Sequence, residues 1–124
     1  MEHLFFTARV ISGSGRGTGL GVPTLNLDLR DVPPGLQDGV FACRAIAGGK
    51  SYAAAMHKGP RPTFGDISSC EVHMIDELIP VPPQSVTVEV VEFLRGIAKF
   101  LSSEALTSQM LEDIRQAKKI LAKK

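Results

Sequence analysis

Hydrophobic and polar positions alternate along most of this chain, and the period changes only near its C-terminal end. Leu4 to Ile11 is rich in β-branched and aromatic residues and predicts a first strand. Thr24 to Leu29 places Leu25, Leu27 and Leu29 on one side, the mark of a half-buried strand. Asp31-Val32-Pro33-Pro34-Gly35 reads as a turn, and Gly39 to Ala47 as a third strand. Gly48-Gly49 with Lys50 predicts a tight hairpin, with Ser51 to Met56 as its returning strand. Gly59-Pro60-Arg61-Pro62-Thr63-Phe64-Gly65 reads as a rigid loop. Ser69 to Ile75 and Ser85 to Leu94 complete the set, joined through Pro80, Pro82 and Pro83.

Six strands at this spacing predict an all-β fold, and a closed antiparallel barrel is the simpler way to remove exposed edges from a small chain. The barrel is expected over about residues 3–95. Beyond it the period lengthens. Leu106, Met110, Ile114, Ala117 and Leu121 recur every three or four residues, so they share one face of a helix expected over about 103–122. Ser102 or Ser103 can cap its start, Glu104 suits the N-terminal dipole, and Lys118, Lys119, Lys123 and Lys124 suit the other end. The helix is expected to pack against the outside of the barrel.

Composition narrows the function classes. The length of 124 residues fits one domain, here taken as 1–124. A net charge of +1, with 14 basic and 13 acidic residues, offers no electrostatic reason to expect nucleic acid or a membrane as partner. Only 6% of residues are aromatic, too few for a stacking surface of the single-strand-binding type. No apolar run approaches the roughly 20 residues of a membrane span, and the first six residues lack the basic flank of a signal peptide. Cys43 and Cys70 show no CxxC spacing and are expected as reduced, buried strand residues. A cytoplasmic monomer is expected.

Three segments carry candidate chemistry. Ser12 to Gly21 holds five glycines in ten residues, Gly13, Gly15, Gly17, Gly19 and Gly21. Such a loop can bring backbone N–H groups close to phosphates, with Arg16 adding positive charge, although it matches neither a Walker loop nor a dinucleotide fingerprint. Val22-Pro23-Thr24-Leu25-Asn26 follows. Thr24 and Asn26, two apart on a strand, point the same way and can offer two neutral oxygens to one hard cation such as Mg²⁺. In Cys70-Glu71-Val72-His73, Glu71 and His73 share a face, and a carboxylate at a barrel rim suits a general base for a primary alcohol. Each segment also has a plain reading: a surface connection, a solvated strand start, and a solvent-facing pair.

Taken in order, the motifs resemble one family. Gly15-Arg16-Gly17, Leu20-Gly21-Val22-Pro23-Thr24-Leu25-Asn26, Asp38-Gly39-Val40-Phe41-Ala42, Gly59-Pro60-Arg61-Pro62-Thr63-Phe64, Glu71-Val72-His73 and Leu94-Arg95 with Lys99-Phe100 look like the riboflavin kinases, from about Val10 to Ala117. The resemblance implies a six-stranded antiparallel Greek-key barrel with a C-terminal α-helix. It implies ATP as phosphoryl donor, Mg²⁺ as cofactor and riboflavin as acceptor, giving FMN and ADP. Thr24 and Asn26 match the residues that hold Mg²⁺ against the phosphates. Gly13, Gly15, Arg16, Gly19, Gly21, Pro23 and Thr24 match the nucleotide side, Glu71 the catalytic base, and Arg95 and Phe100 the segment closing over the flavin. Where the family usually has Ala, Tyr and Glu, this chain has Leu25, Phe41 and Ile97, His57-Lys58-Gly59 stands for the usual Asn-Ile-Gly, and Pro82-Pro83 stand for the Tyr-Gly pair usual in the loop after the Glu-x-His strand. The competing readings are a barrel that binds flavin or nucleotide without turnover, a small nucleic-acid-binding barrel, and a structural domain with no ligand.

Overall fold

The computed structural model describes residues 3–11, 23–60, 68–77, 79, 81 and 83–123. Six strands run β1 (Leu4–Ile11), β2 (Thr24–Leu27), β3 (Gly39–Ala47), β4 (Lys50–Pro60), β5 (Ser68–Met74) and β6 (Ser85–Arg95), followed by one helix, α1 (Ser103–Ala122). They close into a barrel in the order β1-β2-β5-β4-β3-β6, and every pairing is antiparallel. The expected architecture is therefore present, with the long-range β2–β5 pairing that gives the barrel its Greek-key character.

Alternation decides what fills the barrel. Inward positions include Phe6 and Ala8 of β1, Leu25 and Leu27 of β2, Phe41, Cys43 and Ala45 of β3, and Ala54 and Met56 of β4. Cys70, Val72 and Met74 of β5 and Val86, Val88 and Val90 of β6 complete the core. Both cysteines are buried free thiols, as expected; burial pushes the Cys70 thiol up to about 12 and raises the Cys43 thiol in the same direction. Leu25 points into this core, so its size does not intrude on the outer face that carries Thr24 and Asn26. Phe41 is also interior, edge-on to Phe93 with ring centroids 5.5 Å apart.

The helix covers the outside. Ala42, Ala55 and Ile75 of the barrel pack with Ala117 and Leu121 of α1, and Ala53, Val91, Leu94, Ile114 and Ile120 flank them. The small barrel residues let the helix approach closely at Ala117. Register shifts between β3 and β6, at Val40/Phe41 and Ala42/Cys43, skip Leu94 and Val91, the two β6 residues that join this outer cluster. Ser102 caps α1 by accepting from Ala105 N–H at 3.0 Å, which settles the choice between the two serines. At the C-terminal end Arg44 donates to the Leu121 carbonyl at 3.5 Å.

Two boundaries differ from expectation. β2 stops at Leu27, and Leu29 begins a short 3-10 turn, Leu29–Asp31, instead of extending the buried side. Asp28 ends the strand there: its side chain accepts from the Arg30 N–H at 3.0 Å, an Asx-type turn that competes with the ladder. β4 runs to Pro60, absorbing the start of the expected loop, because Gly59 and Pro60 still align with Ser69 and Ser68. The Gly48-Gly49 hairpin forms as expected, with both residues at positive φ (58° and 78°), the pair a type I′ turn needs.

Candidate active site

Register brings the candidate residues together. β2 pairs with β5 so that Thr24 lies opposite His73 and Asn26 opposite Glu71. β5 in turn pairs with β4, placing His57 opposite Glu71 and Ala55 opposite His73. Leu25, Leu27, Cys70, Val72, Ala54 and Met56 all point inward, so Thr24, Asn26, Glu71, His73 and His57 share the outer face of three adjacent strands. Helix α1 leans over one side of this face. A crevice there is lined by Val40, Ala55, His57, His73, Met110, Asp113 and Ile114.

The polar groups are held in a defined order. Thr24 is buried, and its Oγ1 lies 3.0 Å from His73 Nδ1. His73 is 4% exposed, and burial pushes its pKa down to about 4, so the ring is neutral near pH 7. Its Nε2 has no hydrogen-bond partner among the described residues and sits 3.7 Å from Glu71 Oε1. Glu71 is half-buried, and Ser69 Oγ donates to its other oxygen at 3.4 Å. Burial also lowers the pKa of His57, with Glu71 acting in the opposite sense.

At the helix side, Arg95 at the end of β6 grips Asp113 of α1 through two bonds, Nε to Oδ1 at 2.9 Å and Nη2 to Oδ2 at 2.7 Å. Gln109 donates to the same carboxylate from one turn earlier. The Arg95 guanidinium also lies over the Phe100 ring, 5.8 Å from its centroid. Arg95 and Phe100 thus meet each other and the helix at the edge of the crevice. Ile97 is half-buried beside the Gly59 backbone and the Asp38 side chain.

Of the site residues expected from the sequence, the structure joins Thr24, Asn26 and Glu71 on one face and Arg95 with Phe100 beside α1. Pro23 precedes β2, and its carbonyl accepts from Met74 N–H at 2.9 Å. Gly13, Gly15, Arg16, Gly19 and Gly21 lie outside the described residues, as do Arg61 to Phe64 and Pro82. No pattern in the sequence points to Asp113, His57 stands out only within His57-Lys58-Gly59, and His73 only as sharing a face with Glu71. Their placement depends on strand register and helix docking, which no local pattern reports.

Among the described residues there is no cluster of three His, Cys, Asp or Glu able to hold a metal ion. Thr24 and Asn26 supply two neutral oxygen donors instead, and that set fits a hard cation whose remaining ligands are waters and phosphate oxygens. The described residues also contain no helix long and apolar enough to cross a membrane.

The closed six-stranded barrel with one helix on its outside, and a neutral oxygen pair beside a carboxylate on one outer face, defines a class of small all-β barrel proteins. The chain belongs to the riboflavin kinase family, whose model matches residues 1–121. It is 32% identical over 123 residues to a bifunctional riboflavin kinase/FMN adenylyltransferase of Bacillus subtilis, covering 94% of this chain and 38% of that protein. A protein of the same description from Haemophilus influenzae is 34% identical over 113 residues, covering 89% of this chain and 36% of its own length. Among solved structures, a Streptococcus pneumoniae protein titled a macrolide-efflux protein matches with a TM-score of 0.76 at 27% identity, over 94% of this chain and 38% of that one. The chain therefore spans little more than a third of the bifunctional relatives it matches.

Proposed function

We propose that this chain, acting as one domain over residues 1–124, transfers the γ-phosphoryl group of ATP to the 5′-hydroxyl of riboflavin, giving FMN and ADP in a Mg²⁺-dependent reaction. The observation that carries the reading is the register that sets Asn26 opposite Glu71 and Thr24 opposite His73, so that two neutral oxygen donors and a carboxylate share one face. Phosphoryl transfer relies on positioning and on neutralising charge, and these residues suffice for both. Thr24 and Asn26 hold Mg²⁺, which neutralises the phosphate charge. Glu71 accepts the proton of the acceptor hydroxyl. The loop carrying Gly13, Gly15, Arg16, Gly19 and Gly21 cradles the phosphates next to Pro23 and Thr24. Phe100 borders the flavin, and Arg95 holds α1 and the Phe100 segment beside it.

The proposed partners are riboflavin and ATP alone, with no nucleic acid and no membrane, and the proposed state is a cytoplasmic monomer. The test is conversion of riboflavin to FMN by the purified chain with Mg·ATP, followed by chromatography. FMN formation that ceases when Mg²⁺ is chelated supports the reading. Bound riboflavin or FMN without turnover favours a binding module instead, and Pro82-Pro83, in place of the usual Tyr-Gly, is then the first position to restore.

A further inference from the structure

Between Arg95 and α1 the chain runs without regular structure, and of residues 96–102 only Ile97 and Phe100 are half-buried. Phe100 rests under the Arg95 guanidinium. Ile97 is seated on the barrel rim instead. The point where a Cβ on Gly59 would stand lies 3.1 Å from Ile97 Cδ1, and 3.1 and 3.2 Å from Cβ and Cγ of Asp38. Gly59 adopts a φ of 136°, which disfavours any side chain there. Its bare backbone leaves a notch that the Ile97 methyl and the Asp38 side chain share.

Lys58 fixes the Asp38 side chain in that place. Its Nζ donates to Asp38 Oδ1 at 2.8 Å and to the Leu36 carbonyl at 2.7 Å. Lys58 follows Ala54 and Met56 on the side of β4 that fills the barrel, and its side chain is only 15% exposed. An ammonium drawn into the barrel mouth loses hydration and rotamer freedom, and an apolar side chain there would serve stability as well. What the pair supplies is position: one place for the Asp38 carboxylate, and so one wall for Ile97. Resting on the reading proposed above, in which Phe100 borders the flavin, we infer that Asp38 is a positioning residue for the acceptor. Anchored by Lys58, it seats Ile97 against Gly59 and so sets the path of residues 96–100 beside the riboflavin.

Steady-state kinetics of FMN formation, with riboflavin and ATP varied in turn, tests this. Asp38→Ala removes the wall, Asp38→Asn keeps an oxygen for Lys58, and Ile97→Ala removes the seated group. Asp38→Ala and Ile97→Ala are each expected to raise the KM for riboflavin by roughly 10-fold, short of the 10²-fold that a misplacement of about 1 Å can cost. The KM for ATP is expected to stay as in the wild type. Asp38→Asn is expected to hold the riboflavin KM within about 2-fold. The double variant Asp38→Ala/Ile97→Ala is expected to match the worse of the two singles within about 2-fold, because both act on one seat. Simple destabilisation would lower the active fraction, and with it the rate at every concentration, while leaving both KM values in place. An unchanged riboflavin KM in Asp38→Ala or Ile97→Ala, an equal rise in Asp38→Asn and Asp38→Ala, or effects that multiply in the double variant overturns the positioning role. A wild-type chain that forms no FMN overturns the proposed function itself, and the inference falls with it.

Discussion

Glu71 sits beside Asn26 and next to His73, and it is half-buried on a face that a helix overhangs. A carboxylate there can take a proton from an alcohol without competing freely with bulk water. Glu71→Gln keeps the shape and hydrogen-bonding reach but removes the proposed base. Turnover is expected to fall by roughly 10² to 10⁴ while ATP and riboflavin binding stay within a few-fold. Steady-state kinetics beside calorimetric binding checks this, and near-normal turnover removes Glu71 from the role. Thr24→Ala and Asn26→Ala are each expected to raise the Mg²⁺ concentration needed for half-maximal rate, measured by titration at fixed ATP. An unchanged requirement would place the metal elsewhere. These three residues were legible in the sequence because the strand period alone puts Thr24 with Asn26 and Glu71 with His73. The bond between Thr24 and His73 was not legible. It spans 49 residues and depends on β2–β5 register, which no run of neighbouring residues encodes.

The strands themselves were readable wherever alternation was uninterrupted, and β1, β3 and β6 begin where the pattern places them. Misreadings came where side chains or partner strands decide. Asp28 folds back on the Arg30 backbone and ends β2, while β5 holds β4 straight through Pro60. The motif glycine Gly39 also has a structural cause: a Cβ there would lie 2.5 Å from the Phe93 ring and 2.7 Å from the Arg95 carbonyl. The helix was readable from its period, but not what fastens it. Asp113 sits on the buried side of α1 and receives both arms of Arg95. Asp113→Ala leaves that guanidinium without its partner and is expected to cost about 1.5–3 kcal/mol, the range for charge-assisted bonds. Urea denaturation gives the magnitude. Amide exchange should rise more in α1 than in β3 and β5, and equal loosening of helix and barrel would show that the pair does not fasten α1 in particular.

At the scale of the whole molecule, the same burial that builds the site makes the fold sensitive to mild acid. His73 titrates at about 4 in the folded chain, against an ordinary value near 6.5, because desolvation opposes its charged form, and burial lowers His57 in the same direction. Between those values the unfolded chain binds more protons than the folded one, so stability is full above about pH 6.5 and declines as the pH falls toward 4. The His73 shift corresponds to a loss of about 3 kcal/mol across that window. A second loss follows at lower pH with the opposite chemistry. Hydrogen bonds from Arg30 hold Asp28 down at about 2, and bonds from Arg9 lower Asp31. Both favour the folded state above the unfolded carboxylate value and cease to do so as the pH falls from about 4 toward 2. Urea midpoints from pH 7.5 to 2.5 should therefore fall in two stages. His73→Leu should flatten the upper stage and leave the lower one unchanged, since Asp28 and Asp31 pair with arginines on other elements. An upper stage that persists in that variant would assign it to His57 or to a group outside the site, and would mean that His73 gains its proton in the folded chain nearly as easily as in the unfolded one.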